Sequence, residues 1–311
     1  MKISIKNSVI LYFILAIAIT WLFWIPTLII SSVNDYFIPS ILTFNVLITE
    51  GFVDSFHALV FFINQIGVYG PMIAAFIVLA ISKKREGVLG LLKSMVKVNV
   101  KLKWYAAIVL LPLAITLASA GVSLLYGTDL TKLFNPGMAP LFVLLMFLNT
   151  TLTSGLEEPG WRGYALPKLQ ERYTANKSSI IVGIVWAIWH YPFLVYLNLV
   201  QLGTGAFLSV LAIIGFTAST VGGSILFSWV YNNTKSVFMA ILFHGLMNFI
   251  PQVVMGGVTD SMGGVIVALI TWGIAIIFVK KYGEQTLTGL TEEERKAKEE
   301  KKVQKEKSKE N

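Results

Sequence analysis

Residues 139–162 read APLFVLLMFLNTTLTSGLEEPGWR, a mostly apolar run that ends in two adjacent carboxylates, Glu157 and Glu158, with Arg162 four residues further on. About 20 apolar residues are enough for a helix to cross a bilayer. Ionised side chains inside a membrane are costly, and those that occur there are usually paired and functional. The stretch therefore predicts a transmembrane helix that carries a functional site at one end.

The same apolar character extends along the chain, which has 311 residues, 55% of them hydrophobic and only 14% charged. This composition excludes an ordinary soluble domain and is typical of a polytopic membrane protein. We predict an all-α membrane protein with about eight transmembrane helices. The predicted spans are residues 8–30, 58–81, 104–126, 139–158, 178–200, 205–230, 236–252 and 262–281.

The basic residues predict the orientation. If both termini are cytoplasmic, all of the 25 Lys and Arg residues except Lys132 fall on the cytoplasmic side. This is the asymmetry that the positive-inside rule describes. We therefore expect a multi-pass protein of the cell membrane with both termini in the cytoplasm. The net charge of +8 reflects this topology, and no nucleic-acid partner is predicted.

Two regions differ in composition. Residues 1–281 form the predicted eight-helix membrane domain, with the motifs concentrated in residues 139–252. Residues 282–311 are rich in Lys and Glu, lack the apolar residues of a packed core, and are expected to form a solvated cytoplasmic tail. The chain has no cysteine, which excludes disulfides and thiolate chemistry.

Two histidines lie inside other predicted spans. His190 follows the expected start of its span by about 18 Å, and His244 by about 12 Å, at 1.5 Å per residue. Both depths fall in the cytoplasmic half of the membrane, as does Glu157. We expect these side chains to line one intramembrane catalytic cavity that is open toward the cytoplasmic side. Asn248 follows His244 by four residues and therefore shares its helix face.

The spacing of the charges predicts different roles for the two glutamates. Glu158 and Arg162 are four residues apart, the separation at which opposite charges pair along a helix. Glu157 is then left to face the cavity as a general base. Pro159 disfavours helical geometry at the residue before it, so the helix is expected to break at Glu158 and restart at Pro159.

Peptide hydrolysis is one reaction that this set of side chains can support. Glu157 and His190 can activate a water molecule, and the oxyanion that forms on the peptide carbonyl needs preorganised donors. His244 and Asn248 can supply two such donors from one helix face. The set is therefore chemically complete for hydrolysis without a Ser or Cys nucleophile.

Three motifs in this order resemble those of the CPBP intramembrane proteases, the CAAX protease and bacteriocin-processing family, also called Abi. The first motif has two glutamates followed by an arginine, the second an aromatic residue four positions before a histidine, and the third a histidine four positions before Asn or Asp. The second motif often has Phe where this chain has Trp. The matching residues are Glu157, Glu158, Arg162, Trp186, His190, His244 and Asn248.

The resemblance implies an intramembrane endopeptidase related to the type II CAAX prenyl endopeptidases, which cut three residues from prenylated proteins. It implies that Glu157 and His190 activate water, and that His244 and Asn248 stabilise the oxyanion. Glu158 and Arg162 would support the site. The implied partners are the lipid bilayer and a membrane-associated protein or peptide substrate, such as a CAAX protein or a bacteriocin peptide.

The sequence leaves the metal open. It has no His-Glu-x-x-His zinc signature. Glu157, His190 and His244 could be zinc ligands if they converge within about 2.0 to 2.2 Å of one ion, as a metalloprotease would require. A glutamate protease without a metal is the favoured alternative.

Two other functions use the same residues. A transporter could use the Glu and His side chains as a proton or ion relay, although the sequence lacks the repeated halves typical of many transporters. A catalytically silent immunity or scaffold protein could bind a partner in the membrane. The sequence specifies neither the substrate nor the oligomeric state.

Overall fold

The computed structural model describes residues 5–38, 47, 50–125, 139–255 and 261–291, together with residues 293, 294 and 297. These residues form helices and connecting loops without a β-strand, which confirms the predicted all-α class. The helices are α1 (Ile5–Val33), α2 (Ser55–Val68), α3 (Gly70–Ser82), α4 (Lys84–Met95), α5 (Leu102–Leu125), α6 (Pro140–Leu152), α7 (Ala175–Val195), α8 (Gly205–Thr234), α9 (Val237–Met255) and α10 (Ser261–Tyr282).

The number of spans agrees with the prediction. Within the described residues, seven helical runs are long and apolar enough to cross a membrane, and α2 with α3 makes an eighth if this bent pair is one span. The two helices meet at 49°, and Pro71 lies in the first turn of α3. Proline lacks a backbone N–H, so a helix can restart at this position without losing a hydrogen bond. The chain is therefore a multi-pass membrane protein.

The fourth span is longer and less regular than predicted. Regular α-helix ends at Leu152, and a 3₁₀ turn (Ser154–Glu157), a short α turn (Glu158–Gly160) and a π turn (Trp161–Ala165) follow. The predicted break at Glu158 is wrong, because Glu158 has helical angles of φ −64° and ψ −30°. Pro159 lies in the first turn of the short α segment Glu158–Gly160, where its missing N–H is tolerated. We call residues 154–169 the motif segment.

The motif segment lies inside the bundle, in contact with α3, α7, α8 and α9. Gly160 makes the approach to α3 close enough that an added Cβ would overlap the carbonyl oxygen of Pro71 and the hydroxyl oxygen of Tyr12. In contrast, a Cβ added to Gly223 on α8 would meet no atom within 4 Å. The position of the motif segment therefore depends on residue 160 being a glycine, which has no Cβ.

One end of the bundle carries the Lys- and Arg-containing segments 82–103, 159–177 and 231–235 and is here called the basic end. The beginning of the predicted tail packs across this end. Residues 283–290 fold back onto α7 and α8 instead of extending into solvent. The backbone N–H of Ala175 donates to the carbonyl of Gln285 at 2.9 Å, and the Asn233 amide donates to the carbonyl of Leu287 at 2.9 Å. The Leu287 side chain is fully buried. These residues carry little charge, which explains why they pack while the Lys/Glu-rich sequence begins only after them.

The opposite end of the bundle is held together by Asp54 and His57. Asp54 accepts hydrogen bonds from the His57 backbone N–H and from the Tyr36 hydroxyl, both at 2.7 Å, and these bonds lower the pKa of Asp54. The buried His57 ring contacts the Phe37 carbonyl through Nε2 at 2.7 Å. Tyr196, just after α7, donates to the Tyr36 carbonyl at 3.0 Å. This network ties the loop after α1 to the end of α7.

Replacing Gly160 with Ala is expected to destabilise the protein by about 1–3 kcal/mol, the usual cost of overpacking a filled interior. The obstacle is a backbone carbonyl, which cannot move aside as a flexible side chain can. The measurement is the free energy of unfolding of purified protein in detergent micelles. Gly223→Ala is the matched control and should unfold as wild type does. Equal stability of both variants would show that the motif segment does not need this close approach.

Candidate active site

The structure brings four of the predicted site residues into one buried cluster, with a fifth beside it. Glu157, Glu158 and Arg162 lie on the motif segment, and His244 reaches them from α9. His190 lies on α7, next to the same cluster. All four members of the cluster are at most 5% exposed, so these side chains interact mainly with one another and with neighbouring side chains.

Glu158 and Arg162 form the ion pair that their spacing predicts. Arg162 Nη1 lies 3.0 Å from Glu158 Oε1, and both side chains are fully buried. Arg162 Nη2 also donates to the Ser224 hydroxyl on α8 at 3.1 Å. The guanidinium carbon lies 4.7 Å from the Trp186 ring centroid and 4.5 Å from that of Phe227, within cation–π range. The Arg162 guanidinium is thus in contact with groups from the motif segment, α7 and α8.

His244 is a second partner of Glu158. Its Nδ1 lies 2.9 Å from Glu158 Oε1, although the ring is not aligned for a hydrogen bond. The imidazole meets the Trp186 ring edge-on, with centroids 5.2 Å apart. Glu158 therefore lies between two basic side chains and joins the motif segment to α9.

Glu157 points elsewhere and is not paired with Arg162. The Trp186 indole N–H donates to Glu157 Oε2 at 2.7 Å, and Trp161 contributes a longer contact of 3.4 Å to the same oxygen. Among the described residues, both hydrogen bonds to this carboxylate end on Oε2. The Oε1 atom is left to interact with a water molecule or a substrate.

His190 is held through one ring nitrogen. Its Nδ1 lies 2.9 Å from the Trp186 carbonyl oxygen, a group that can only accept, so Nδ1 carries the proton. Nε2 is then the nitrogen with a free lone pair. The ring packs edge-on against Trp189 and Phe216, with centroids 4.5 and 4.9 Å apart. The structure thus fixes the orientation of the imidazole ring on α7.

Asn248 lies one turn after His244 on α9, as the spacing predicts, and is partly exposed. Within the described part of the chain, no hydrogen bond joins Asn248 to the cluster or His190 directly to Glu157. A water or substrate molecule would have to connect these groups. One apolar groove of about 430 Å³ lies between α1 and the end of α7, but its lining includes none of the predicted site residues.

The three proposed zinc ligands do not form a metal-binding group. Among the described residues, no set of three or more His, Cys, Asp or Glu side chains is arranged to hold a metal ion. The geometry of Glu157, His190 and His244 therefore does not fit a three-ligand zinc centre.

Sequence reasoning missed the contacts made by α8. Ser224 and Phe227 both touch Arg162, yet they lie more than 60 residues away in an apolar run. A serine in such a run is a weak signal by itself. The sequence identified Trp186 only as the aromatic residue of the second motif, and its hydrogen bond to Glu157 depends on how α7 packs on the motif segment.

Comparison with known proteins places the same region in a known group. A family model described as "Type II CAAX prenyl endopeptidase Rce1-like" matches residues 139–250. A protein named CAAX prenyl protease 2, from Methanococcus maripaludis, is 30% identical over 200 residues, which cover 58% of this chain and 68% of the relative. The matched residues 139–250 include every predicted site residue.

Replacing Arg162 with Met is expected to cost about 3–5 kcal/mol of stability, because Glu158 would remain as a buried and uncompensated charge. The double variant Arg162→Met with Glu158→Gln should be less destabilised than Arg162→Met alone. The measurement is again the free energy of unfolding in detergent.

Lys168→Met is the matched control, because it breaks the more exposed pair with Glu171, which has an N–O distance of 2.7 Å. Its cost should be about 1 kcal/mol or less. If the two single variants were equally stable, or if the double variant were the least stable, the buried pair would not have the proposed role.

Proposed function

Because the chain belongs to the type II CAAX prenyl endopeptidase family, we propose that it hydrolyses a peptide bond near the carboxyl terminus of prenylated, membrane-associated proteins. Membership is shown by its similarity to the relative from Methanococcus maripaludis. One observation carries the proposal for this chain. A buried carboxylate, Glu157, is oriented by an indole N–H and is free of the neighbouring arginine.

Water activation is assigned to Glu157 and His190. Glu157 takes a proton from water through its free Oε1, and the Nε2 lone pair of His190 accepts a hydrogen bond from the same water molecule. The water oxygen forms a bond to the peptide carbonyl carbon. The proton held by Glu157 then passes to the leaving nitrogen as the C–N bond breaks, so that the carboxylate is regenerated.

Stabilisation of the oxyanion is assigned to His244 and Asn248. Glu158 lies beside Nδ1 of His244, and Nε2 of this ring is a donor in the tautomer that carries its proton there. The Nε2–H and the Asn248 amide can then donate to the negative oxygen from one face of α9. Arg162 keeps the Glu158 carboxylate in place through their ion pair.

The substrate is proposed from the family and the setting. A protein bearing an isoprenoid lies at the membrane surface and can reach a site within the bundle from the bilayer. We propose that the basic end of the bundle faces the cytoplasm, because the basic residues are concentrated there. Bacteriocin processing and an immunity role without catalysis are alternatives that the following experiment separates.

Glu157→Gln and His190→Ala are each expected to reduce cleavage of a farnesylated CAAX peptide by at least about 100-fold, since each removes a group that activates water. The measurement is mass spectrometry of the released tripeptide, with purified protein in lipid nanodiscs and an unprenylated peptide as a substrate control. Glu171→Gln makes the same chemical change in an exposed carboxylate and should retain full activity.

Full activity of Glu157→Gln would contradict the role of this residue as the base. If the wild type released no tripeptide but protected cells from a bacteriocin as well as Glu157→Gln did, the protein would be a binding protein. Cleavage of a bacteriocin precursor in place of the farnesylated peptide would change the substrate but not the chemistry.

We also propose that the hydrolysis needs no metal, since the donor set does not fit a zinc centre. Activity on the farnesylated peptide is expected to stay within about twofold after prolonged treatment with 1,10-phenanthroline, because no step depends on a metal–ligand bond. The metal content of the purified protein should be well below one atom per chain. Loss of activity that added Zn²⁺ restores would contradict this proposal.

A further inference from the structure

Trp186 contacts several residues of the site, although the proposed mechanism assigns it no catalytic role. It lies on α7, is 7% exposed, and touches the motif segment through both its indole N–H and its ring. The N–H donates to Glu157 Oε2 at 2.7 Å. This is a normal length for a strong hydrogen bond to a carboxylate, whereas the contact from Trp161 to the same oxygen, 3.4 Å, is longer than the usual range.

The ring of Trp186 makes separate contacts with the cationic side of the site. Its face lies 4.7 Å from the guanidinium carbon of Arg162, and it meets the His244 ring edge-on. On its other flank the ring centroid is 6.1 Å from that of His190. A single side chain is thus packed between the base, the arginine and both histidines.

The backbone of Trp186 has a third function that does not depend on its side chain. Its carbonyl oxygen accepts the Nδ1–H of His190, so any residue at this position would orient His190 in the same way. The ring contacts with Arg162 and His244 need only an aromatic side chain. The hydrogen bond to Glu157 needs the indole N–H in particular.

We propose that Trp186 is a positioning residue of the site, and that its indole N–H anchors Oε2 of Glu157 and so directs Oε1 toward the reacting water. A carboxylate with one oxygen anchored has fewer orientations, and its free oxygen is presented in one direction. The N–H also stabilises the negative charge, which keeps the base ready to accept a proton. The inference rests on the proposed function, because it assigns Glu157 as the base.

Trp186→Phe separates the N–H from the ring, because phenylalanine can keep the aromatic contacts with Arg162 and His244. With the farnesylated peptide as substrate, kcat is expected to fall about tenfold or more near neutral pH, the size expected for loss of a charge-assisted hydrogen bond. KM should change by less than about twofold, since Trp186 is not proposed to bind the substrate. Trp161→Phe should have a smaller effect than Trp186→Phe.

The pH profile distinguishes positioning from a general loss of folded enzyme. Without the N–H the ionised carboxylate is less favoured, so the ratio of variant to wild-type kcat/KM should rise as the pH increases. A purely structural defect would lower this ratio equally at every pH. Trp229→Phe is the matched control, because Trp229 is a buried tryptophan on α8 whose indole nitrogen has no hydrogen-bond partner among the described residues. It should have wild-type kinetics.

The outcomes separate this inference from the proposed function. If the wild type cleaves the peptide and Trp186→Phe has the same kcat, or a ratio that does not change with pH, the positioning role is wrong and the function stands. If the wild type does not cleave any prenylated peptide, the proposed function is wrong and this inference is overturned with it.

Discussion

The burial of the Glu158–Arg162 ion pair is the constraint on which the other features of the site depend. Both side chains are fully removed from solvent, and two charges in such a setting are tolerated only when their hydrogen-bonding capacity is met by the protein. The bundle meets part of it with the Ser224 hydroxyl from α8, and His244 from α9 and two aromatic rings pack around the pair; Glu158 Oε2 and Arg162 Nε have no hydrogen-bond partner among the described residues. The charges thus require three separate parts of the chain to converge on the motif segment.

The irregular backbone of the motif segment follows from this convergence. The 3₁₀ and π turns between Ser154 and Ala165 form backbone hydrogen bonds of their own, and such local adjustments satisfy the backbone groups that a proline frees in a membrane helix. The motif segment that contains them packs against α3, α7, α8 and α9. In return, the irregular turns direct two adjacent glutamates to different partners. Glu157 meets Trp186, and Glu158 meets Arg162 and His244.

The spans and the ion pair could be predicted from the sequence because both depend on local information. A helix in a bilayer satisfies its own backbone, so a run of apolar residues identifies it without knowledge of its neighbours. The pairing of Glu158 with Arg162 likewise depends only on a separation of four residues. The change of helix type after Leu152 could not be predicted in this way, because it depends on how the motif segment packs against helices that are distant in the sequence. The packing of Leu287 against α7 and α8 depends on residues far away in the sequence.

Two properties of Trp186 have different roles. Its aromatic ring is common to the family motif, whereas its indole N–H is absent where the motif has Phe. The resemblance to the protease family requires an aromatic residue four positions before His190, and the structure gives a physical reason for this. The ring packs on Arg162 and meets His244 edge-on, and either Trp or Phe can make these contacts. Only Trp can also donate to Glu157. A site with Phe at this position must anchor its first glutamate through another donor or leave both oxygens mobile, so the anchoring of this glutamate can vary where the aromatic ring does not.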